Sequence, residues 1–137
     1  MSLQYDLPKN CKYSKTHEYV RLEADNSVTI GVTDFAQKQL GSIVYVELPE
    51  TESEFNAGES FGVIESVEAT EDLYMVVSGT VIDVNKELEE MPELVNDDPY
   101  GKGWMIRVKP LNLEEEMGKL MDSDGYMKYI KTLEERA

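Results

Sequence analysis

One cysteine, one histidine and one tryptophan are spread over 137 residues, and these scarcities remove whole classes of function. A single thiol, Cys11, cannot close an internal disulfide or supply a cysteine-rich zinc site. Its segment holds no histidine before His17, so it lacks the base that would turn a thiol into a nucleophile. A reducing compartment is permitted. Basic residues are also scarce: 13 Lys and Arg stand against 28 Asp and Glu, for a net charge of −15. No basic surface is left to neutralise nucleic-acid phosphates or to dock on an anionic membrane. Apolar runs stop at four or five residues, far short of the roughly 20 that a membrane span needs. The chain opens without a charged start and an apolar stretch, so no signal peptide is read. Cytoplasm is the expected compartment, or an organelle matrix if a transit peptide has been removed, and Met1-Ser2-Leu3 reads as an expression remnant.

What remains is an acidic globular chain with 41% apolar residues, sized for one domain. Short β-rich stretches punctuated by Gly and Pro fill the first two-thirds. Ser27–Val32 alternates in period two, and Ile43–Leu48 is stopped by Pro49. Further strands are expected over Phe61–Val67, Leu73–Val77, Thr80–Asn85 and Trp104–Val108. Many short strands predict a small sandwich or flattened barrel. Thr33 is placed to cap a short helix over Asp34–Leu40 that Gly41 ends. A helix over Leu111–Met121 has an acidic start suited to the helix dipole, and Gly118 weakens it. A last helix begins at a cap on Ser123 or Asp124 and carries Tyr126, Tyr129, Ile130 and Leu133 on one face. Lys86–Pro92 has room for one more helical turn.

Gly62-Val63-Ile64-Glu65-Ser66-Val67-Glu68-Ala69-Thr70-Glu71-Asp72-Leu73-Tyr74 reads as two apolar strand ends joined by a polar tip. Glu65, Glu68, Glu71 and Asp72 crowd that tip. Their spacing does not match a calcium loop, so no metal site is read and a solvated acidic face is expected. His17 has no second histidine or cysteine cluster around it and reads as a partly buried structural residue. Glu18, on the residues alone, reads as a charge at a strand edge. Trp104, Tyr126 and Tyr129 read as packing aromatics. There is no nucleophile–base pair, metal cluster or phosphate loop, so direct catalysis is not expected.

Four stretches in order resemble the H protein of the glycine cleavage system. They are Tyr13–Val20 with its Thr16-His17-Glu18 centre, Ile30–Gly41 followed by Val44–Pro49, the Gly62–Gly79 hairpin, and Pro92–Trp104. The resemblance runs from about residue 12 to residue 133. It implies a lipoyl/biotinyl-type flattened β-barrel, a barrel-sandwich hybrid, with a short internal helix and C-terminal helices. It implies one domain over 1–137, with 1–11 as an N-terminal extension or tag remnant and 111–137 as the C-terminal helices. It also implies a carrier or interaction protein rather than an enzyme. In that family a lysine carries a lipoyl arm among three partners: a glycine decarboxylase, an aminomethyltransferase and a dihydrolipoamide dehydrogenase. Lipoylation enzymes are partners too, and the cofactor holds the chemistry.

Against that family this chain departs at one residue above all. The family pattern Glu-Ser-Val-Lys-Ala is here Glu65-Ser66-Val67-Glu68-Ala69. Glu68 stands at the lipoyl-lysine position and has no amine to form the amide, so no covalent cofactor is expected. Lys38, Lys86 and Lys102 lie elsewhere. Glu65, Ser66, Val67 and Ala69 are then expected to dock partners, while the resemblance puts Glu18 and Asp72 beside the cleft that shelters an arm. Met75-Val76 replaces the family's Ser-Pro, and Pro49–Ser53 lacks a glycine. Both departures are expected near the arm-presenting end, with effect on a docking surface. The expected function is an H-protein-like docking or regulatory scaffold of the glycine decarboxylation pathway. The alternatives are a true aminomethyl-lipoyl carrier whose attachment site was mutated, and a non-covalent binder of lipoyl-type ligands.

Overall fold

Alternation of apolar and polar residues places most of the strands, and it fails where a strand is buried on both faces or lines a cleft. The computed structural model describes residues 4–136. In chain order they form β1 (Cys11–Tyr13), β2 (Glu18–Leu22), β3 (Val28–Val32), α1 (Asp34–Leu40), β4 (Ile43–Glu47), β5 (Glu54–Phe55), β6 (Ser60–Ser66), β7 (Thr70–Tyr74), β8 (Gly79–Val84), α2 (Glu87–Glu90), α3 (Leu94–Asp97), β9 (Ile106–Pro110), α4 (Leu113–Met117) and α5 (Ser123–Arg136). A six-stranded antiparallel sheet has the order β1-β2-β3-β9-β8-β5, and a three-stranded one the order β4-β6-β7. One apolar cluster joins both, with Val20, Ile30 and Ile106 from the first sheet and Val46, Ile64 and Leu73 from the second. The result is the flattened barrel-sandwich with an internal helix and C-terminal helices.

The α1 boundaries fall where the sequence puts them. The Thr33 hydroxyl accepts from the Ala36 amide at 3.1 Å, and Gly41 ends the helix at φ 83°, a conformation that favours glycine. Other expectations need correction. β7 covers Thr70–Tyr74, not Leu73–Val77. Met75, Val76 and Val77 are buried but follow the strand in a bend. The helix expected over Leu111–Met121 shrinks to Leu113–Met117 and stops at Gly118. The cap of α5 is Asp122, whose carboxylate accepts from the Gly125 amide at 2.8 Å. Residues 4–11 are built into the fold rather than hanging from it: Tyr5 is buried edge-on against Phe35 and Cys11 belongs to β1. Met1–Leu3, the expected remnant, lie outside the described residues. Burial in β1 pushes the Cys11 thiol up to about 11, which leaves it inert at neutral pH.

A second cluster ties α5 to the start of the chain. Tyr126 is fully buried, stacked on Tyr13 with ring centroids 4.8 Å apart. Its hydroxyl lies 2.8 Å from His17 Nδ1 and 2.7 Å from Thr33 Oγ1. One phenol thus links α5, the turn before β2 and the cap of α1. Tyr126→Phe keeps the ring and strips both partners of their bond. It is expected to cost about 1–2 kcal/mol, read as a lower urea midpoint at unchanged m value.

Candidate functional site

Ser66 shapes the tip of the β6–β7 hairpin. Its hydroxyl accepts from the backbone amides of Glu68 at 3.2 Å and Ala69 at 3.1 Å. Its own amide donates to the Ala69 carbonyl at 2.8 Å, and the Val67 amide reaches the Ser42 carbonyl at 3.2 Å. The turn is therefore fixed by its own backbone and one buried hydroxyl. It presents Val67, 75% exposed, and Glu68 to solvent. Among the described residues the Glu68 carboxylate makes no hydrogen bond or ion pair. On the neighbouring strand β4, Tyr45 pairs with Glu65, and both Val44 and Tyr45 are exposed. Of the four residues expected to dock partners, Glu65, Val67 and Ala69 lie together at this small surface, while Ser66 is buried beneath it.

Glu18 and Asp72, 54 positions apart by their residue numbers, line the same cleft of about 500 Å³. It opens between β7, the Thr16–Glu18 turn, α1 and the end of α5. Its apolar walls include Phe35, Ala36, Leu40, Ile64 and Leu133; Ala69, next to Glu68, lies at its edge. Glu68 itself stays outside.

Glu18 is no strand-edge charge. It begins β2, which runs between β1 and β3, and is 2% exposed. His17 makes this possible by taking a left-handed φ of 73°, an unusual conformation for a side chain of its size. The turn closes through the Ser14 amide to the Glu18 carbonyl at 3.0 Å. The Glu18 carboxyl accepts from the Ser14 hydroxyl at 3.1 Å, from the Thr16 hydroxyl, and from the Tyr74 amide at 3.2 Å. Those bonds favour the charged form, but burial outweighs them and pushes the carboxyl up to about 7. Burial lowers the His17 imidazole. His17 packs its ring on Phe35 at 4.8 Å, so its contacts are structural as expected, although it also lines the cleft.

The other departures noted in the sequence sit elsewhere than expected. The Met75 amide bonds to the Glu59 carbonyl, at the base of the hairpin and far along both strands from Glu68. Met75 and Val76 are 3% and 6% exposed, so they act on the core and not on a docking surface. Pro49–Ser53 also lies past the end of β4 that pairs with the base, where the Glu52 amide meets the Val81 carbonyl.

Sequence reasoning missed the partners that hold the site. Ser14, Thr16 and the Tyr74 amide around Glu18 carry no pattern of their own. Asn96 does equal service: its amide group donates to Gln37 Oε1 and the Gly41 carbonyl, both at 2.9 Å, and accepts from the Ile43 amide at 2.9 Å. It thereby locks α1, a cleft wall, to β4, the strand beside the tip. Lys38 is held by Asp34 at 3.0 Å on α1. Lys86 precedes α2, and Lys102 lies in the loop before β9, so no lysine stands at the tip. Among the described residues no group of three or more His, Cys, Asp or Glu is arranged to hold a metal, and no helix is long and apolar enough to cross a membrane.

Comparison with known proteins places this geometry. The sequence profile of the family described as Glycine cleavage H-protein matches residues 11–133. A glycine cleavage system H protein of Carboxydothermus hydrogenoformans is 51% identical over 125 residues, which cover 91% of this chain and 95% of the relative. A probable glycine cleavage system H protein of Pyrococcus horikoshii is 46% identical over 130 residues, 95% of this chain and 96% of the relative. The crystal structure of a glycine cleavage system H protein from Mycobacterium marinum superposes with a TM-score of 0.84 at 32% identity. It covers 91% of this chain and 99% of that one.

Proposed function

The chain belongs to the glycine cleavage H-protein family, and from that membership we propose that it serves the glycine cleavage system as a docking or regulatory scaffold that carries no lipoyl group. The observation that carries the second half is the exposed tip. A lipoyl group is attached by an amide to a side-chain amine. Here the residue that Ser66 holds out to solvent is Glu68, whose carboxylate cannot form that amide. The residues at the tip therefore do not fit covalent lipoate, and no step of carrier chemistry runs through this chain alone.

The exposed surface around the tip supports a role in meeting partners. The turn is held by its own hydrogen bonds, Val67 offers an apolar contact, and Val44 and Tyr45 extend it along β4. We assign Glu65, Val67 and Ala69 to contact with the decarboxylase, the aminomethyltransferase, the dihydrolipoamide dehydrogenase or the lipoylation enzymes. Ser66 orders the backbone they share. Glu18 and Asp72 are assigned to the cleft, where two carboxyl groups over apolar walls suit the amine end of an arm presented by another molecule. The domain acts as a single unit, with α4 and α5 as its C-terminal helices.

Intact-mass measurement after co-expression with a lipoate–protein ligase tests this. The expected spectrum holds the unmodified chain alone. A species heavier by one lipoyl group would end the proposal.

A further inference from the structure

We propose that the free edge of β7 is a strand-addition site that takes an extended peptide bearing a basic side chain into the cleft. The proposal rests on the edge and the cleft, and on the reading above that no arm on residue 68 fills that cleft.

β7 ends the three-stranded sheet and pairs with β6 alone. In an antiparallel pair, alternate residues bond to the partner strand and the residues between them turn their N–H and C=O outward. The register fixes which are which. The Ser66 amide bonds to the Ala69 carbonyl, so the next bonded pairs are Ile64 with Glu71 and Gly62 with Leu73. Thr70, Asp72 and Tyr74 therefore turn their backbone groups away from β6. Glu18 confirms the phase, because its carboxyl takes the outward Tyr74 amide at 3.2 Å. At Thr70 and Asp72 no protein partner replaces it among the described residues.

This edge opens into a built space. Four consecutive residues of β7, Glu71 to Tyr74, line the cleft, as they do when a strand meets a cavity edge-on. The other edge strands offer less. β1 is bridged to Met121 by bonds of 2.8 and 2.9 Å in both directions, β4 has α2 packed near it, and β5 is two residues long. Exposed strand edges accept added strands through main-chain bonds, and the flanking pockets choose the side chains. Here the apolar walls suit alternate aliphatic residues. The carboxyl groups of Glu71, Asp72 and Glu18 select a lysine or arginine, against a chain whose net charge of −15 already draws basic segments.

The test uses the full chain, labelled with 15N, and the capped peptide acetyl-Val-Lys-Val-Lys-Val-amide as probe. Amide exchange at Thr70 and Asp72 is expected to slow by about tenfold or more at saturating peptide, while amides of β9 stay unchanged. The same peptide methylated on alternate backbone nitrogens is expected to protect neither amide. Norleucine in place of lysine is expected to weaken binding about fivefold or more, in line with loss of a charge-assisted contact. Unchanged exchange at millimolar peptide, or equal protection by the methylated peptide, would overturn strand addition and leave the acidic residues as guards that keep the edge unpaired. Equal binding of the norleucine peptide would overturn the basic requirement.

Discussion

A Glu68→Lys chain, co-expressed with a lipoate–protein ligase, is expected to pass from no loading to nearly complete loading by intact mass. The argument is local. Ser66 fixes the turn through the backbone amides of residues 68 and 69, so the conformation does not depend on the side chain at 68. That side chain is exposed and unpaired, so a lysine there would stand in water with its amine free to attack an activated acyl group. The change is expected to move stability by less than about 0.5 kcal/mol, as exposed substitutions do. Any effect should be favourable, because a cation replaces one member of the Glu65, Glu68, Glu71 and Asp72 group. The two other departures from the family pattern do not obstruct the ligase: Met75 and Val76 are in the core and Pro49–Ser53 lies at the base of the hairpin. Absence of loading in the variant would show that the flanks Glu65 and Val67, or Val44 and Tyr45 on β4, also exclude the ligase. The loaded variant is expected to regain glycine exchange if the same surface still meets the decarboxylase.

Much of the barrel could be read from residue pattern, and each failure has its own physical cause. β3, β4, β6, β8 and β9 alternate or end at a proline or glycine, and all were expected near their observed bounds. β2 was not, because Glu18, Tyr19 and Val20 are all buried in a strand with neighbours on both sides, which erases period two. β7 was misplaced because its charged residues face a cleft and not a core. The apolar run Leu73–Val77 then looked more strand-like than the true strand Thr70–Tyr74. β5 has two residues, too few for any period.

The candidate site divides in the same way. Glu68 at an exposed tip was legible because a hairpin and its turn are local. That Glu18 and Asp72 share a cleft came from likeness to a family, since nothing in the spacing of the two residues brings them together. Burial of Glu18 was not legible at all. It depends on a left-handed His17, a Ser14 bond that closes the turn and a backbone amide from another sheet. These are long-range facts of the fold.

That burial has a measurable cost. In the folded chain the Glu18 carboxyl titrates at about 7, above its ordinary 4.5, chiefly because it is desolvated. Below about pH 4.5 both folded and unfolded chains hold the proton, and Glu18 adds no penalty. Between 4.5 and 7 the folded chain binds more protons than the unfolded one, so stability falls as pH rises. Above 7 the fold bears a buried carboxylate at a cost on the order of 3 kcal/mol. Glu18→Gln removes the titration; its one oxygen can still accept from the Tyr74 amide, while its NH2 takes the side of the Ser14 and Thr16 hydroxyls, whose oxygens can accept from it. The variant is expected to match the wild type at pH 4.5 to within about 1 kcal/mol. It should gain on it by about 3 kcal/mol by pH 8, read from urea midpoints of both proteins at each pH. Other carboxylates titrate equally in the two proteins and cancel in the difference. Parallel curves would show that the carboxyl keeps an ordinary affinity for its proton, and the account of the cleft as a desolvated acid would fall. If the curves diverge as expected, an ammonium group entering the cleft above pH 7 meets a carboxylate that the fold has paid to bury. Binding of that cation would then recover part of the cost, which makes Glu18 the residue through which the cleft favours a cation over a neutral ligand.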